Sequence, residues 1–230
     1  MKGVALVTVL FDYPEDWMPK FYNNALKFFN KEDIHIIRHS KLIETNSYYD
    51  KLYFYKTVKL LDYIKEKIEG HYDFLYFLDA TDTNFYGNPI NIIDNFKLLN
   101  KSIIFCGERG LWPPTDYNHL YENKRNLSPA RYLNSGSYFG YVDKILYYLN
   151  EIIVKDLCKD DQGSWSIQYL LNDDIEIDQE CNFFFSTFNS KEHVKIEDNK
   201  VTLVGVNPIT IHDNGPYTED TIKLTEILNK

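Results

Sequence analysis

Phe74-Leu75-Tyr76-Phe77-Leu78-Asp79-Ala80-Thr81-Asp82 runs an unbroken apolar stretch into an aspartate, and a second aspartate follows three positions later. Such a run suits a strand buried on both faces of a largely parallel sheet, with Asp79 ending it. A strand cannot bring positions i and i+3 to one face. A turn directly after it can, and that would set both carboxylates at the carboxyl rim of the sheet, where open α/β folds bind their ligands. Hard carboxylate oxygens are the donors that Mg²⁺ or Mn²⁺ prefers when it also takes phosphate oxygens. A turn and helix cap ahead of Pro89-Ile90 accounts for the same residues, because aspartate is favoured in both settings.

Working outward, Val4 to Leu10 (VALVTVL) is a second continuous run, ended by Asp12 and Pro14, and Ile34 to Ile37 and Ser102 to Cys106 read as further strands. Between them, Trp17 to Asn30 has helical spacing of Phe21, Ala25, Phe28 and Phe29, and Tyr53 to Ile68 reads as an amphipathic helix closed by Gly70. This alternation predicts an α/β fold, with a mostly parallel central sheet flanked by helices. Beyond about residue 130 the pattern is mixed. Ser137 to Val142 is strand-like, Lys144 to Val154 and Asp161 to Leu171 are helical, and Val194 to Val204 reads as a hairpin turning at Asp198-Asn199. With no linker or repeat in its 230 residues, the chain is read as one domain, 1–230.

A hydrophobic fraction of 44% and an aromatic fraction of 16% exclude a disordered chain. The net charge of -9 and pI near 5.2, without a basic stripe, exclude nucleic acid as a partner. A diphosphate is different, since one metal ion can neutralise it inside an acidic protein. Cys106, Cys158 and Cys181 are too scattered for a zinc knuckle or a disulfide framework. No stretch reads as a membrane span or an export signal, so the expectation is a soluble, cytoplasmic protein; its oligomeric state is left open.

Three further stretches carry candidate chemistry. Ile209 to His212 reads as a short strand delivering His212 into a turn of Asp213, Asn214, Gly215 and Pro216, where an imidazole can join an N/O coordination sphere. A lone turn histidine is the plainer account unless Asp79 and Asp82 lie opposite. Asp160 and Asp161 open a helix, so one is explained by capping, and both can also face a sugar or acceptor hydroxyl. Trp112, in Gly110-Leu111-Trp112-Pro113-Pro114, offers an indole to stack on a sugar, or is a loop residue anchored in the core. The GxGxxG, Walker, Gly-x-Ser-x-Gly and His-Glu-x-x-His motifs are absent, which counts against nicotinamide, ATPase, esterase and zinc-protease chemistry.

In order, Phe77-Leu78-Asp79-Ala80-Thr81-Asp82, Gly110-Leu111-Trp112-Pro113, Arg131-Tyr132-Leu133-Asn134-Ser135-Gly136, Asp160-Asp161-Gln162 and His212-Asp213-Asn214-Gly215-Pro216 resemble the glycosyltransferase domain of the procollagen lysyl hydroxylases, and more distantly the collagen galactosyltransferases. The resemblance implies a GT-A-type nucleotide-sugar fold with a nucleotide-binding half, 1–110, and an acceptor-binding half, 111–230. It implies Mn²⁺-dependent (or Mg²⁺-dependent) transfer from UDP-glucose, or next UDP-galactose, to hydroxylysine or galactosyl-hydroxylysine in a collagen-like polypeptide. Carried over onto matching positions, the metal ligands are Asp79, Asp82 and His212, and the nucleotide contacts are Thr8, Val9, Asp79, Asn214 and Gly215, with Lys56 placed by an ungapped count back from Asp79. Trp112, Asn134 and Gln162 fall on the substrate side, with Asp161 and Asp160 as the catalytic carboxylates. The family's segment after the histidine reads Gly-Asn-Gly-Pro-Thr-Lys, whereas this chain has Asp213 to Thr218 without that lysine. A weakly active UDP- or glycan-binding module, or a transferase acting on polysaccharide, therefore stays open. The match is to a stand-alone version such as large DNA viruses carry, which would place it in a host cytoplasm.

Overall fold

Val4–Phe11 forms β1, and every side chain from Val4 to Leu10 is buried, as a run with no polar face requires. Alternate residues serve two cores. Val7 and Val9 pack with Leu60, Ile64, Phe77, Phe105 and Trp165 on one side. Leu6 packs with Phe21, Tyr76, Phe96 and Phe139 on the other. The computed structural model describes residues 2–11, 17–39, 48–124, 128–157, 160–198 and 200–214.

Helix α1 spans Trp17–Ala25, ending short of the expected Asn30. Phe28 and Phe29 lie beyond it and still reach the core, edge-on and tilted against Phe85 at 5.5 and 5.7 Å. After β2 (Ile34–His39), helix α2 runs Tyr48–Tyr63, so it starts before Tyr53, and its final turn, Ile64–Ile68, widens to a π-helix. Gly70 reverses the chain at φ +78°, which a side chain would resist, and β3 (Phe74–Leu78) follows, wholly buried.

The chain continues through β4 (Thr83–Phe85), α3 (Ile92–Leu98), β5 (Ile103–Glu108), β6 (Tyr132–Tyr141), α4 (Val142–Lys155) and α5 (Asp161–Leu171). Next come β7 (Ile175–Asp178), β8 (Phe184–Ser186), the hairpin of β9 (Val194–Glu197) and β10 (Lys200–Leu203), and β11 (Thr210–His212). The hairpin turns at Asp198, with Asn199 outside the described residues. Among those residues no helix is long and apolar enough to cross a membrane.

Six strands form the main sheet in the order β2-β1-β3-β6-β5-β7. All run one way except β6, which is antiparallel to both β3 and β5. Helices α2, α4 and α5 cover the face bearing Phe77, Phe105 and Tyr138, where the Tyr138 ring lies 4.8 Å from each of the other two, stacked on Phe77 and tilted to Phe105. Helices α1 and α3 cover the other face.

Two details of pairing shape the carboxyl rim. On β6, Tyr138 lies opposite Phe105 but Asn134 lies opposite Cys106, so residues 135–137 form an enlarged bulge. Bulges of this kind bend a strand and re-aim its side chains. This also explains why β6 begins at Tyr132 rather than Ser137: Asn134, Ser135 and Gly136 are poor strand formers, yet they belong to the strand because they make the bulge. The second detail is a small sheet, β4-β11-β8, in which His212 pairs with Thr83 and Ser186.

The small sheet is tied to the large one at Asp178, the buried last residue of β7. Its carboxylate accepts the backbone N–H groups of Asn182 (3.0 Å), Phe183 (2.6 Å) and Phe184 (2.8 Å), which set the direction of β8. Asp178→Ala should cost about 3 kcal/mol, because it leaves buried donors unpaired, and should appear as a lower urea midpoint with an unchanged slope.

Candidate active site

The pairing of β11 with β4 decides what meets what. Because His212 lies opposite Thr83, it comes beside Asp82, and the Asp213 N–H donates to the Asp82 carbonyl at 2.7 Å. Asp79, at the end of β3, is held from the other side, its N–H donating to the Gly136 carbonyl of the β6 bulge at 2.8 Å. One donor atom each from Asp79, Asp82 and His212 falls within 4.8 Å of the others, a spacing that fits one metal ion.

The orientation of His212 follows from its neighbours. The Gly136 N–H can only donate, so the Asn134 atom it meets at 2.9 Å is the amide oxygen Oδ1. The Asn134 NH₂ then donates to Glu108 Oε2 at 3.0 Å. His212 Nδ1 lies 2.9 Å from the same Oδ1 and therefore carries the proton. That leaves Nε2 facing Asp82 Oδ1 at 3.3 Å. An imidazole fixed at Nδ1 by a polar partner, with Nε2 aimed at carboxylates, is the usual arrangement of a metal-binding histidine. Burial alone would lower its pKa, but the Asp82 and Asp79 carboxylates outweigh burial and raise it. Burial would likewise push the Asp82 carboxyl up, yet His212 holds it below its ordinary value.

Glu108, not among the residues expected from the sequence, anchors the remaining polar groups. Only 3% exposed, it accepts hydrogen bonds from the side-chain amides of Asn134, Asn214 (2.9 Å) and Gln162 (2.7 Å). Burial pushes its carboxyl up against the pull of those amides. Its signal was present in Ile103–Glu108, another apolar strand ending on a carboxylate, like Phe74–Leu78 before Asp79.

Of the residues expected on the substrate side, Asn134 and Gln162 are engaged within the protein. Gln162 Nε2 also donates to the Trp112 carbonyl at 2.9 Å, and its Oε1 accepts the Ser135 N–H at 3.2 Å. Trp112 itself is 63% exposed, so its ring is presented at the rim rather than anchored in the core. Asn214 donates to Glu108 and accepts from Ser186 Oγ at 2.6 Å.

Asp160 caps α5, accepting the Gly163 N–H at 2.9 Å, and burial together with Asp161 pushes its carboxyl up to about 6. Asp161 faces inward, with Oδ2 taking Ser135 Oγ at 3.2 Å and Lys56 Nζ at 3.0 Å. Lys56 also meets Asp79 Oδ1 at 2.8 Å. Desolvation works against its charge, but Asp161 and Asp79 outweigh it and raise its pKa well above the ordinary value.

Thr8 and Val9 are buried at the carboxyl end of β1. Val9 packs in the core under α2, and the Thr8 hydroxyl has no hydrogen-bond partner among the described residues. Gly215 and the segment to Thr218 lie outside the described residues, as do Cys158 and Lys159.

The profile of the family described as PLOD GT domain matches residues 29–229. The chain belongs to the PLOD GT domain family. It is accordingly a glycosyltransferase by family. It is 28% identical over 142 residues to uncharacterized protein R699 of Acanthamoeba polyphaga mimivirus, covering 60% of this chain and 30% of that protein. It is 27% identical over 173 residues to human procollagen-lysine,2-oxoglutarate 5-dioxygenase 2, covering 66% of this chain and 22% of that protein. The chain thus spans under a third of the length of these relatives.

Among solved structures, a glycosyltransferase involved in glycosylation of the major capsid of PBCV-1 superposes with a TM-score of 0.55 at 10% identity, covering 97% of this chain and 99% of that one. Mouse xyloside xylosyltransferase 1 superposes with a TM-score of 0.55 at 11% identity, covering 92% and 98%. The fold is the GT-A-like sheet that these glycosyltransferases share.

Gly136 supplies a direct check on the His212 geometry. A Cβ there would lie 2.2 Å from His212 Cε1 and 2.8 Å from both ring nitrogens. Gly136→Ala should therefore cost about 1–3 kcal/mol of stability through overpacking. By moving the ring it should also weaken by about tenfold or more the retention of a divalent cation at Asp79, Asp82 and His212, with added Mn²⁺ as the probe and electron paramagnetic resonance of free Mn²⁺ as the readout.

Proposed function

We propose that this chain transfers a hexose from a UDP-sugar, UDP-glucose first and UDP-galactose next, to hydroxylysine or galactosyl-hydroxylysine of a collagen-like polypeptide. The observation that carries the reading is the convergence of Asp79, Asp82 and His212 at the carboxyl rim of the sheet, beside Asp161. Two carboxylates and a neutral imidazole nitrogen make a donor set that suits Mn²⁺ or Mg²⁺. Bound there, the ion supplies charge neutralisation to the departing diphosphate.

The chain's own residues do the rest. In transfer, the bond from the sugar C1 to the diphosphate oxygen breaks and its electron pair leaves with UDP. The acceptor oxygen bonds to C1 and releases its proton to a base. In this reading Asp161 takes that role, which the engagement of Asp160 in capping α5 supports. Glu108 holds Asn134, Gln162 and Asn214 in place, so that the polar wall of the site is set before substrate arrives. Exposed Trp112, with Leu111 and Tyr117 also exposed on its loop, gives the acceptor an apolar surface on which to stack. On this reading the chain is one glycosyltransferase domain whose site draws on both halves, and the mimivirus relative favours a viral origin with action in host cytoplasm.

The test is UDP release with Mn²⁺ and each UDP-sugar, with and without a hydroxylysine-containing collagen-like peptide. Release that depends on Mn²⁺ and is raised by the peptide is expected. Binding of UDP without release would instead establish a binding module, and activity on free glycans alone would establish a polysaccharide acceptor. Asp82→Asn keeps the shape and removes one anionic ligand, so turnover should fall by about 100-fold or more. Retention of full Mn²⁺-dependent turnover by that variant would overturn the assignment. Trp112→Ala, at an exposed position, should raise the acceptor KM by about tenfold while leaving UDP-sugar hydrolysis and thermal stability close to wild type.

A further inference from the structure

We propose that Lys56 is a positioning residue that locks Asp79 and Asp161 to one another, and that it makes no contact with the donor diphosphate. The inference rests on the reading of the site as that of a metal-dependent UDP-sugar transferase.

Lys56 is 9% exposed and its ammonium sits 5.0 Å above the centre of the Phe77 ring. From there it reaches Asp79 Oδ1 at 2.8 Å and Asp161 Oδ2 at 3.0 Å. These partners come from different parts of the fold, Asp79 from the end of β3 and Asp161 from the first turn of α5, and Lys56 on α2 is the link between them. Bidding for a phosphate would mean giving up charge-assisted hydrogen bonds in a place water barely enters, and breaking a buried ion pair is costly.

The link also has a directional consequence. Asp161 Oδ2 is shared with Ser135 Oγ, and the Ser135 N–H is held by Gln162, so α2 and β6 together fix one carboxylate oxygen. Without the ammonium, Asp79 and Asp161 face each other as like charges, and Asp161 is free to turn towards a cation at Asp79. Such a variant keeps its metal ligands, and loses the repulsion of a fixed positive charge beside the cation. It forfeits the placement of the carboxylate that addresses the acceptor.

Lys56→Met separates these roles. Mn²⁺ binding by magnetic resonance and UDP binding by calorimetry are read beside steady-state transfer and UDP-sugar hydrolysis. The expected result is Mn²⁺ bound as tightly as in wild type or more tightly, UDP affinity within about threefold, and kcat for transfer reduced about 30-fold or more, beyond any loss in hydrolysis. UDP affinity weakened by more than about tenfold with Mn²⁺ binding intact would make Lys56 a diphosphate contact and overturn the proposal. Unchanged kcat for transfer would overturn it equally. Wild-type protein that binds neither Mn²⁺ nor UDP would refute the transferase reading itself, and this inference with it. If Lys56→Met does not fold, Lys56→Gln, which retains an amide donor, is held to the same limits in the same assays.

Discussion

The site depends on a short antiparallel pairing, β11 against β4. It puts His212 opposite Thr83 and so beside Asp82, and the Asp213 N–H closes the ladder on the Asp82 carbonyl. A slip of one residue would turn His212 to the opposite face and remove the nitrogen from the carboxylates. The register is held by what surrounds it: β8 pairs with β11 on the far side, Ile211 is fully buried, and Asp178 fixes the start of β8. A three-residue strand is weak alone, and it is specified here by its neighbours.

Within that frame the polar groups form a connected network. Glu108, Asn134, His212, Gln162 and Asn214 are linked by hydrogen bonds at 2.7 to 3.0 Å. A buried network of this kind is rigid when its members are satisfied and costly when one is removed, since each orphaned group loses its water without replacement. The enlarged β6 bulge makes the network geometrically feasible. A regular strand would place Asn134, Ser135 and Gly136 on alternating faces. The bulge instead lets the Asn134 side chain, the Ser135 hydroxyl and the Gly136 backbone address His212, Asp161 and Asp79.

The parts of this fold that were legible in the sequence are those with long periodic patterns. The runs Val4 to Leu10 and Phe74 to Leu78 name β1 and β3 because a strand buried on both faces has no other signature, and α5 is read from Asp161 to Leu171 with the bounds it has. Strands β4, β7 and β8 have three or four residues and no period, and unlike the equally short β9, β10 and β11 they were not read from the turns beside them. The convergence of Asp79 and Asp82 followed from a strand ending in a turn. Spacing could not bring in His212, since a tertiary strand pairing does that, and family resemblance supplied it. Lys56, Asn134 and Gln162 were expected to face ligands. Each also hydrogen-bonds a side chain from a distant element, Asp79 for Lys56, His212 for Asn134 and Glu108 for Gln162, which no local pattern reveals.

Asp160 and Asp161 show how far a single position of helical phase separates two like residues. Consecutive residues on a helix point about 100° apart, and the residue before the first helical one has extended backbone. Asp160, at φ -100° and ψ 137°, turns its carboxylate back onto the Gly163 N–H. Asp161, the next residue, points across α5 to Ser135 and Lys56. The positive end of the helix favours both charges, but only the second is directed into the site. An acidic pair at a helix start therefore needs no division of labour in its sequence: backbone geometry assigns capping to one carboxylate and turns the other onto Ser135 and Lys56.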